Sequence, residues 1–291
     1  MRLFSRTALI PFFLLFSINL INAQTTPGSP AATRQVTLDN TEQFTITSKY
    51  VPGENYLIRV SLPVNYDSYD YSFPVLYVLD GDKSFGMAKD IADWLIWFGE
   101  IRDIIVVGIS YGQGTDAWWE KRERDYTHIQ DSNLAKVTAK NTGGAGSFLK
   151  FVKNELIPVI NKKYKALHDS NALMGISYGG MLTSYVLFSQ PEMFNGYIII
   201  GPTLIWKNEN ILKMEADYSN SHKALNKKVY IAYGSLDNKS WVIDPTKEFI
   251  SRIQLHNYEG LKFVPEILEG ETHISSYGPA LTHGLKALFR R

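Results

Sequence analysis

Two copies of the pentapeptide Gly-Ile-Ser-Tyr-Gly are the first candidates for chemistry in this sequence, at 108–112 and at 175–179. Both fit the pattern G-x-S-x-G, in which a sharp turn between a strand and a helix lifts a serine hydroxyl into an active site. Such a serine becomes the nucleophile of acyl transfer when a nearby base accepts its proton. Because Ser110 and Ser177 match the pattern equally well, the residues around them must decide between them.

The residues that follow each serine favour Ser177. Both pentapeptides come after an apolar, strand-like run, but only the second leads into a helix-like stretch, at 180–190. A helix that starts at Tyr178 would point backbone N–H groups at a developing oxyanion. Residues 112–115, after Ser110, are typical of a loop. We therefore predict Ser177 as the nucleophile and Ser110 as part of a glycine-rich strand end that lines the site.

The base for Ser177 must come from the six histidines of the chain. In hydrolases with this turn the chain order is Ser, then Asp or Glu, then His. His273 has the expected position, since it directly follows the last strand-like run, 262–268. We predict His273 as the general base. The other histidines precede that run or lie in the final helical stretch, and they are His128, His168, His222, His256 and His283.

Asp237 is the candidate for the third catalytic residue. It follows the strand-like run 229–232 and would fix the tautomer of His273 and stabilise the imidazolium. A simple turn role is the alternative, because aspartate is common in turns. Asp244 is a second choice of acid. Glu271 is only two residues from the histidine and is poorly placed to orient its ring.

Acyl transfer also needs donors for the oxyanion. The segment 79–83, Leu-Asp-Gly-Asp-Lys, follows an apolar strand-like run, and a turn there could direct the backbone N–H of Asp82 at the substrate oxygen. The backbone N–H of Tyr178 would be its partner. The alternative for this segment is an ordinary Asp-Gly turn.

Strand-like runs and helix-like stretches alternate along the chain. Two amphipathic runs, 43–48 and 56–62, flank the turn 52–55 and predict a β-hairpin. Later runs are continuously apolar, as in parallel strands covered on both faces. These runs are 74–79, 104–107, 172–174, 197–200 and 229–232, and the last strand is 262–268, which Pro265 places near a sheet edge. The helical stretches are 147–157, 180–190, 245–255 and 279–289.

This order of elements predicts an α/β protein. The central sheet should be mostly parallel, with an antiparallel N-terminal hairpin and helices on both faces. Sites in such sheets lie at the carboxyl ends of the strands. Those ends are where Ser177, Asp237 and His273 fall in the sequence.

The first 23 residues have the features of a signal peptide. Arg2 and Arg6 precede a mostly apolar stretch, 8–21, and Ala23 offers a small residue at a cleavage position. A membrane anchor is the alternative, although the apolar run is short for a span. We expect export to the periplasm or the medium, without stable membrane insertion after cleavage.

The rest of the chain is predicted as a disordered leader, 24–36, and one domain, 37–291. The leader is rich in small and turn-forming residues. The formal charge is +1, or −1 without residues 1–23, and this near-neutral balance argues against a nucleic-acid partner. The sequence contains no cysteine, so disulfides are excluded.

Five segments together resemble a known family. They are 77–81 (Tyr-Val-Leu-Asp-Gly), 122–127 (Arg-Glu-Arg-Asp-Tyr-Thr), 143–148 with 155–158, 201–206 (Gly-Pro-Thr-Leu-Ile-Trp) and 270–273 (Gly-Glu-Thr-His). In this order they resemble the putative-esterase family of α/β-hydrolases, which includes enterobactin and other siderophore esterases, and the resemblance covers about 44–288. The sequence departs from the family pattern at His128, where proline is usual, and at Gly201, Thr203 and Ile205.

The resemblance implies an α/β-hydrolase fold, no metal or cofactor, and Ser177 with His273 as the catalytic pair. The third residue stays open, since family members often carry Glu where this chain has Asp237, and some work with a Ser–His dyad. The departures at His128 and around Trp206 fall where substrate walls are expected. Siderophore cleavage therefore does not follow from the resemblance alone.

The sequence thus predicts, as the first hypothesis, a serine esterase that acts on a small-molecule or glycan ester, and two further hypotheses on its function stay open. The substrate is a siderophore lactone, or the feruloyl or acetyl groups of a polysaccharide, whose esterases belong to the same broad group. A catalytically silent binding protein on the hydrolase fold is the second hypothesis, and acyl transfer is the third. The candidate substrate-lining residues are Trp118, Trp119, Arg122, Tyr126 and Trp206.

Overall fold

An eight-stranded sheet forms the centre of the described part of this protein, for which a computed structural model gives residues 36–112, 114–130, 142–206 and 209–291. Residues 38–291 form one compact unit, and the fold below is that of this unit. The predicted signal peptide, 1–23, and all but the last residue of the predicted leader, 24–36, lie outside the described residues.

The strands are β1 (Thr41–Thr47), β2 (Asn55–Ser61), β3 (Phe73–Val78), β4 (Ile105–Ser110), β5 (Ala166–Ile176), β6 (Gly196–Ile200), β7 (Ile205–Trp206), β8 (Glu209–Asn210), β9 (Lys228–Gly234) and β10 (Lys262–Leu268). The sheet order is β1-β2-β4-β3-β5-β6-β9-β10, and β7 pairs with β8 in a separate small hairpin. β2 pairs antiparallel with both β1 and β4, and the remaining pairings of the sheet are parallel. The predicted fold class is confirmed.

The apolar character of each strand matches its place in the sheet. β3, β4 and β6 lie inside the sheet, and every residue in them is buried, as their continuous apolar runs indicate. β10 pairs only with β9 and forms an edge. Pro265 lies within β10, where a missing N–H donor is tolerated.

The helices cover both faces of the sheet. They are α1 (Gly81–Trp97), α2 (Thr115–Tyr126), α3 (Ala145–Phe151), α4 (Ile157–Lys163), α5 (Tyr178–Ser189), α6 (Ile211–Ser221), α7 (Asp244–His256) and α8 (Tyr277–Phe289). Apolar side chains of α3, α5 and α7 contribute to one core cluster. Those of α1 and α8 form a second cluster with the opposite sheet face.

Three of these helices, α1, α2 and α6, lie outside the predicted helical stretches, and α4 shares only Ile157 with the stretch 147–157. In α1, the buried positions Phe85, Ala88, Ala92 and Leu95 have helical spacing. Three large aromatic residues at its end are exposed, and they hide this amphipathic pattern in the sequence: Trp94, Trp97 and Phe98. The loop expected after Ser110 is short, because α2 begins at Thr115.

Candidate active site

Ser177 occupies the turn between β5 and α5. Its backbone has φ 58° and ψ −117°, a strained conformation for a residue other than glycine. Its N–H donates to the Ile200 carbonyl at 3.0 Å, which ties the turn to the end of β6. Gly175 lets the turn close, since a Cβ there would lie 2.3 Å from the Gly179 carbonyl. The strained serine is thus fixed at the carboxyl edge of the sheet.

Asp237 and His273 meet above the same edge. Asp237 follows β9, His273 follows β10, and Nδ1 of the histidine lies 2.7 Å from Oδ2 of the aspartate. The Asp237 side chain is 2% exposed and the imidazole 32%. With Nδ1 held by the carboxylate, Nε2 is the nitrogen available to take a proton.

The loops that carry this pair are joined to each other. The Leu236 N–H donates to the Glu271 carbonyl and the Ser235 N–H to the Leu268 carbonyl, both at 2.9 Å. A Cβ on Gly234 would lie 2.2 Å from the Glu271 carbonyl oxygen, so glycine permits the two loops to approach. The relative position of aspartate and histidine is therefore set by backbone contacts.

Gly201 is a site residue that sequence reasoning missed. It has φ +45°, and a Cβ there would lie 3.2 Å from Nδ1 of His273 and 3.5 Å from Oδ2 of Asp237. The backbone at this position forms the floor under the imidazole. The only sequence signal was that Gly201 departs from the family pattern. Spacing gave no sign that this departure lies against the histidine.

One pocket contains all three predicted catalytic residues. Its volume is about 380 Å³, within the range of small-molecule sites. Its lining consists of Ser177, Thr203, Leu236, Asp237, Asn238, Val242, Thr272 and His273. The structure thus brings together residues that are up to 96 positions apart in the sequence.

The alternative acids do not face the histidine in this way. Asp244 begins α7, is half exposed and pairs with Lys239, whose Nζ lies 2.7 Å from Oδ1. The carbonyl of Glu271 accepts the hydrogen bond from the Leu236 N–H that joins the two loops. Asp237 is therefore the carboxylate that orients the imidazole in this structure.

Ser110, the second G-x-S-x-G serine, is fully buried at the end of β4. Its Oγ accepts a hydrogen bond from Nη1 of Arg59 at 3.2 Å. A Cβ on Gly81 would lie 2.5 Å from that Oγ, so the start of α1 covers it directly. Ser110 thus packs against the segment 79–83, which we call the oxyanion segment after its predicted role, and does not line the pocket that holds Ser177.

The predicted oxyanion donors belong to two helix N-termini that lie side by side. A Cβ on Gly179, near the start of α5, would lie 3.5 Å from Oδ2 of Asp80, the residue before α1. The first intrahelical bonds run from Lys83 to Asp80 and from Met181 to Ser177, each at 2.9 Å. The backbone N–H groups of Asp82 and Tyr178 precede those donors, where helix termini stabilise negative charge.

The Asp82 side chain holds the oxyanion segment against the end of β4. Its Oδ2 accepts the Tyr111 N–H at 2.6 Å and its Oδ1 accepts the Gly112 N–H at 3.0 Å. These charge-assisted hydrogen bonds fix the first turn of α1. Gly81 therefore begins a helix, and the ordinary Asp-Gly turn that the sequence allowed as an alternative is not formed.

Arg122 lies behind the oxyanion segment. Its Nε and Nη2 each donate to Asp80 at 2.8 Å, and the ion pair is almost completely buried. Burial alone would lower the pKa of Arg122, but the charge and hydrogen bonds of Asp80 outweigh it and raise that pKa. The guanidinium also lies 5.3 Å from the centre of the Tyr178 ring. Arg122 thus connects the starts of α1 and α5.

The other predicted lining residues differ in exposure. Tyr126 is buried, and its hydroxyl accepts the Asp80 N–H at 2.8 Å. Trp118 is nearly buried and Trp119 is half exposed, and both rings lie beside the guanidinium of Arg122, at 4.8 and 5.0 Å. The side chain of Trp206 lies outside the described residues. Of this set, only Trp119 presents a large described surface to solvent.

In the described ranges, no group of three or more His, Asp or Glu side chains is arranged to hold a metal ion. The same part of the chain contains no helix with the length and apolar character needed to cross a bilayer.

The mostly parallel sheet, with Ser177, Asp237 and His273 at its carboxyl edge, is typical of the α/β-hydrolase class. The family model described as "Putative esterase" matches residues 48–285, and the chain belongs to this family. It is therefore an esterase by family.

Similar proteins agree with that assignment. The chain is 28% identical to the BES protein from Bacillus cereus, with a TM-score of 0.81 over 91% of this chain and all of that one. It is 27% identical over 217 residues to the ferri-bacillibactin esterase BesA of Bacillus subtilis, covering 70% of this chain and 74% of the relative. It is 31% identical over 189 residues to a siderophore triacetylfusarinine C esterase of Aspergillus fumigatus, covering 61% of this chain and only 60% of the relative.

Proposed function

We propose that this chain is an exported serine esterase that hydrolyses the ester bonds of a siderophore lactone. The observation that carries the proposal is the hydrogen bond between Asp237 and His273 in the pocket that Ser177 also lines. A buried carboxylate, an oriented imidazole and a serine at a strained turn are the parts that nucleophilic acyl transfer requires.

The proposed reaction has two halves. Oγ of Ser177 attacks the ester carbonyl carbon while Nε2 of His273 takes its proton, and the oxyanion is held by the N–H groups of Asp82 and Tyr178. The tetrahedral intermediate expels the alcohol, which receives that proton from His273 and, in a lactone, stays attached as a free hydroxyl. Water then attacks the acyl-serine with the same proton transfers and releases the carboxylic acid.

The shape of the site supports a substrate larger than the pocket. The cavity of about 380 Å³ has the exposed apolar side chain of Leu236 in its lining, and the exposed Trp241 and Ile274 are next in sequence to the lining residues Val242 and His273. Exposed apolar patches of this kind mark binding surfaces. A bulky ligand could rest on them while one ester enters the pocket. The names of two relatives, a siderophore triacetylfusarinine C esterase and a ferri-bacillibactin esterase, support the same substrate class.

The proposal is tested by product analysis on the purified chain. A ferric tri-catecholate lactone, methyl ferulate and acetylated xylan are incubated with the wild type and with Ser177→Ala, and the products are separated by chromatography. We expect the wild type to open the lactone and Ser177→Ala to leave it intact. Cleavage of methyl ferulate or acetylated xylan without the lactone would instead assign a carbohydrate esterase.

Two further outcomes would contradict the proposal. If no ester is cleaved and a fluorophosphonate probe does not label the protein, the chain is a binding protein on the hydrolase fold. If products carry the acyl group on an added alcohol in preference to water, the chain is an acyltransferase.

A further inference from the structure

A second pocket lies beside the oxyanion segment, on the side away from His273. Its volume is about 470 Å³. It is lined by Gln43, Leu57, Arg59, Asp82, Lys83, Gly112, Gly114 and Trp118. The catalytic mechanism proposed above uses only the Asp82 backbone from this set, so the remaining lining has no assigned role.

The charges in this pocket are unequal. Its only described acid, Asp82, accepts the Tyr111 and Gly112 N–H groups, and its carboxylate also lies 3.6 Å from Nη1 of Arg59. The Lys83 ammonium lies 5.9 Å from the centre of the Trp118 ring and forms no ion pair with the described residues. Within the described ranges, the Lys83 charge is thus left without a counter-charge and lies next to an aromatic ring.

The distance to the nucleophile suits one substrate molecule. In the sheet order, β4 and β5 flank β3, so the end of β4 is two strand spacings, about 10 Å, from the end of β5 that carries Ser177. Asp82 contributes to both the catalytic site and the second pocket. Its backbone is proposed to hold the oxyanion, and the residue also lines the second pocket. The part of the substrate that is attached to its acyl carbon could therefore extend past the start of α1 to Lys83.

We infer that this pocket binds a negatively charged group of the ester substrate, a carboxylate or an ionised phenol, held by Lys83 and Arg59 near the end of β4, which is about 10 Å from the end of β5 that carries Ser177. The inference rests on the proposed function, because it takes Ser177 as the reacting residue. It assigns a charge preference to the substrate, which the catalytic residues alone do not set.

The test compares two esters that differ in one charge. Mono-p-nitrophenyl sebacate carries a carboxylate at the far end of its acyl chain, and its methyl ester does not. We expect the wild type to favour the anionic ester in kcat/KM, and Lys83→Gln to lower the ratio of the two kcat/KM values about three- to tenfold. Lys83 is chosen because Arg59 also donates to the Gly81 carbonyl at 2.9 Å, so its loss would disturb the oxyanion segment.

Two controls separate charge recognition from a structural effect. Lys150→Gln removes an exposed lysine of α3 and should keep the wild-type ratio. The corresponding glutarate esters, whose carboxylate is too close to the carbonyl to reach Lys83, should give a ratio that Lys83→Gln does not change. The sebacate ratio of the wild type should also fall as salt rises, because exposed charges are screened.

An unchanged sebacate ratio in Lys83→Gln, or an equal loss on both sebacate esters, would overturn the inference. Failure of the proposed function has a different signature. In that case the wild type cleaves neither sebacate ester nor p-nitrophenyl acetate, and the second pocket loses its role together with Ser177.

Discussion

Oδ2 of Asp237 lies 2.7 Å from Nδ1 of His273, and the aspartate is buried whereas the imidazole is partly exposed. The buried carboxylate thus binds Nδ1 of the ring. Nε2 is then the nitrogen available in the pocket that Ser177 and His273 both line. The resemblance to the family left the third catalytic residue open, and the structure places Asp237 beside the imidazole. The contribution of Asp237 to the reaction is therefore the first property to measure.

Asp237→Asn should lower kcat on p-nitrophenyl acetate by about 10⁴ if the aspartate completes a triad, because an amide cannot stabilise the imidazolium. Steady-state kinetics at neutral pH measures this change. Asp244→Asn, which removes a surface ion pair with Lys239, is the matched control and should keep kcat near the wild-type value. A loss below tenfold in Asp237→Asn would indicate that a Ser177–His273 dyad operates.

The two G-x-S-x-G serines can be separated with one reagent. Ser177→Ala should lose about 10⁶ in kcat and all labelling by a fluorophosphonate probe, because its Oγ is the proposed nucleophile. Ser110→Ala should still be labelled, and it should cost about 1 kcal/mol of unfolding free energy through the lost hydrogen bond with Arg59. Intact mass after labelling and chemical denaturation measure the two effects. Labelling that survives in Ser177→Ala and disappears in Ser110→Ala would reverse the assignment.

The buried pair of Arg122 and Asp80 should be required for stability as well as for activity. Arg122→Met leaves the Asp80 carboxylate buried without its partner and should cost about 3–5 kcal/mol of unfolding free energy. Adding Asp80→Asn should recover part of that stability, because the buried charge is then gone. Chemical denaturation of the two single variants and the double variant measures the coupling. Additive losses would show that the pair is not coupled.

Export through residues 1–23 predicts a defined mature N-terminus. When the full chain is produced in a secreting host, mass spectrometry of the exported protein should find Gln24 as its first residue. Phe13→Asp, which places a charge in the apolar stretch, should block export and leave the precursor in the cell. An uncleaved chain in the membrane fraction would favour the anchor that the same apolar stretch could form.

The sequence predicted the parts of the fold that depend on local patterns. Continuous apolar runs identified the inner strands, and Pro265 identified the edge strand β10. Helix α1 was missed because Trp94 and Trp97, both exposed, break its amphipathic pattern. Hydrophobic periodicity alone cannot identify a helix whose exposed face also carries apolar residues.

The catalytic residues could be predicted because their order along the chain, Ser, Asp and then His, is a property of the sequence. Ser177, Asp237 and His273 follow three different strands, and parallel strands end at one edge, so their meeting could be expected. Arg122 could not be placed in this way. Its aromatic neighbours suggested a substrate wall, whereas its two hydrogen bonds to Asp80 hold it behind the oxyanion segment. The role of Gly201 depends on contacts between segments that are far apart in sequence.

Gly201→Ala is the sharpest test of that contact. The new Cβ would lie 3.2 Å from the His273 ring, on a backbone with φ +45°. We therefore expect the imidazole to be displaced and the backbone to be strained. We expect kcat to fall up to about 10²-fold, as small displacements of catalytic groups do. The left-handed backbone should cost about 1–2 kcal/mol of unfolding free energy.

Gly53→Ala separates these two effects. Gly53 also has positive φ, +77°, but a Cβ there meets nothing within 4 Å. This variant should therefore lose about 1–2 kcal/mol of unfolding free energy and keep its kcat, because only the backbone is strained. Thermal unfolding and p-nitrophenyl acetate kinetics on both variants give the comparison. Equal kcat values in Gly201→Ala and Gly53→Ala would mean that the floor under His273 does not fix the position of the imidazole.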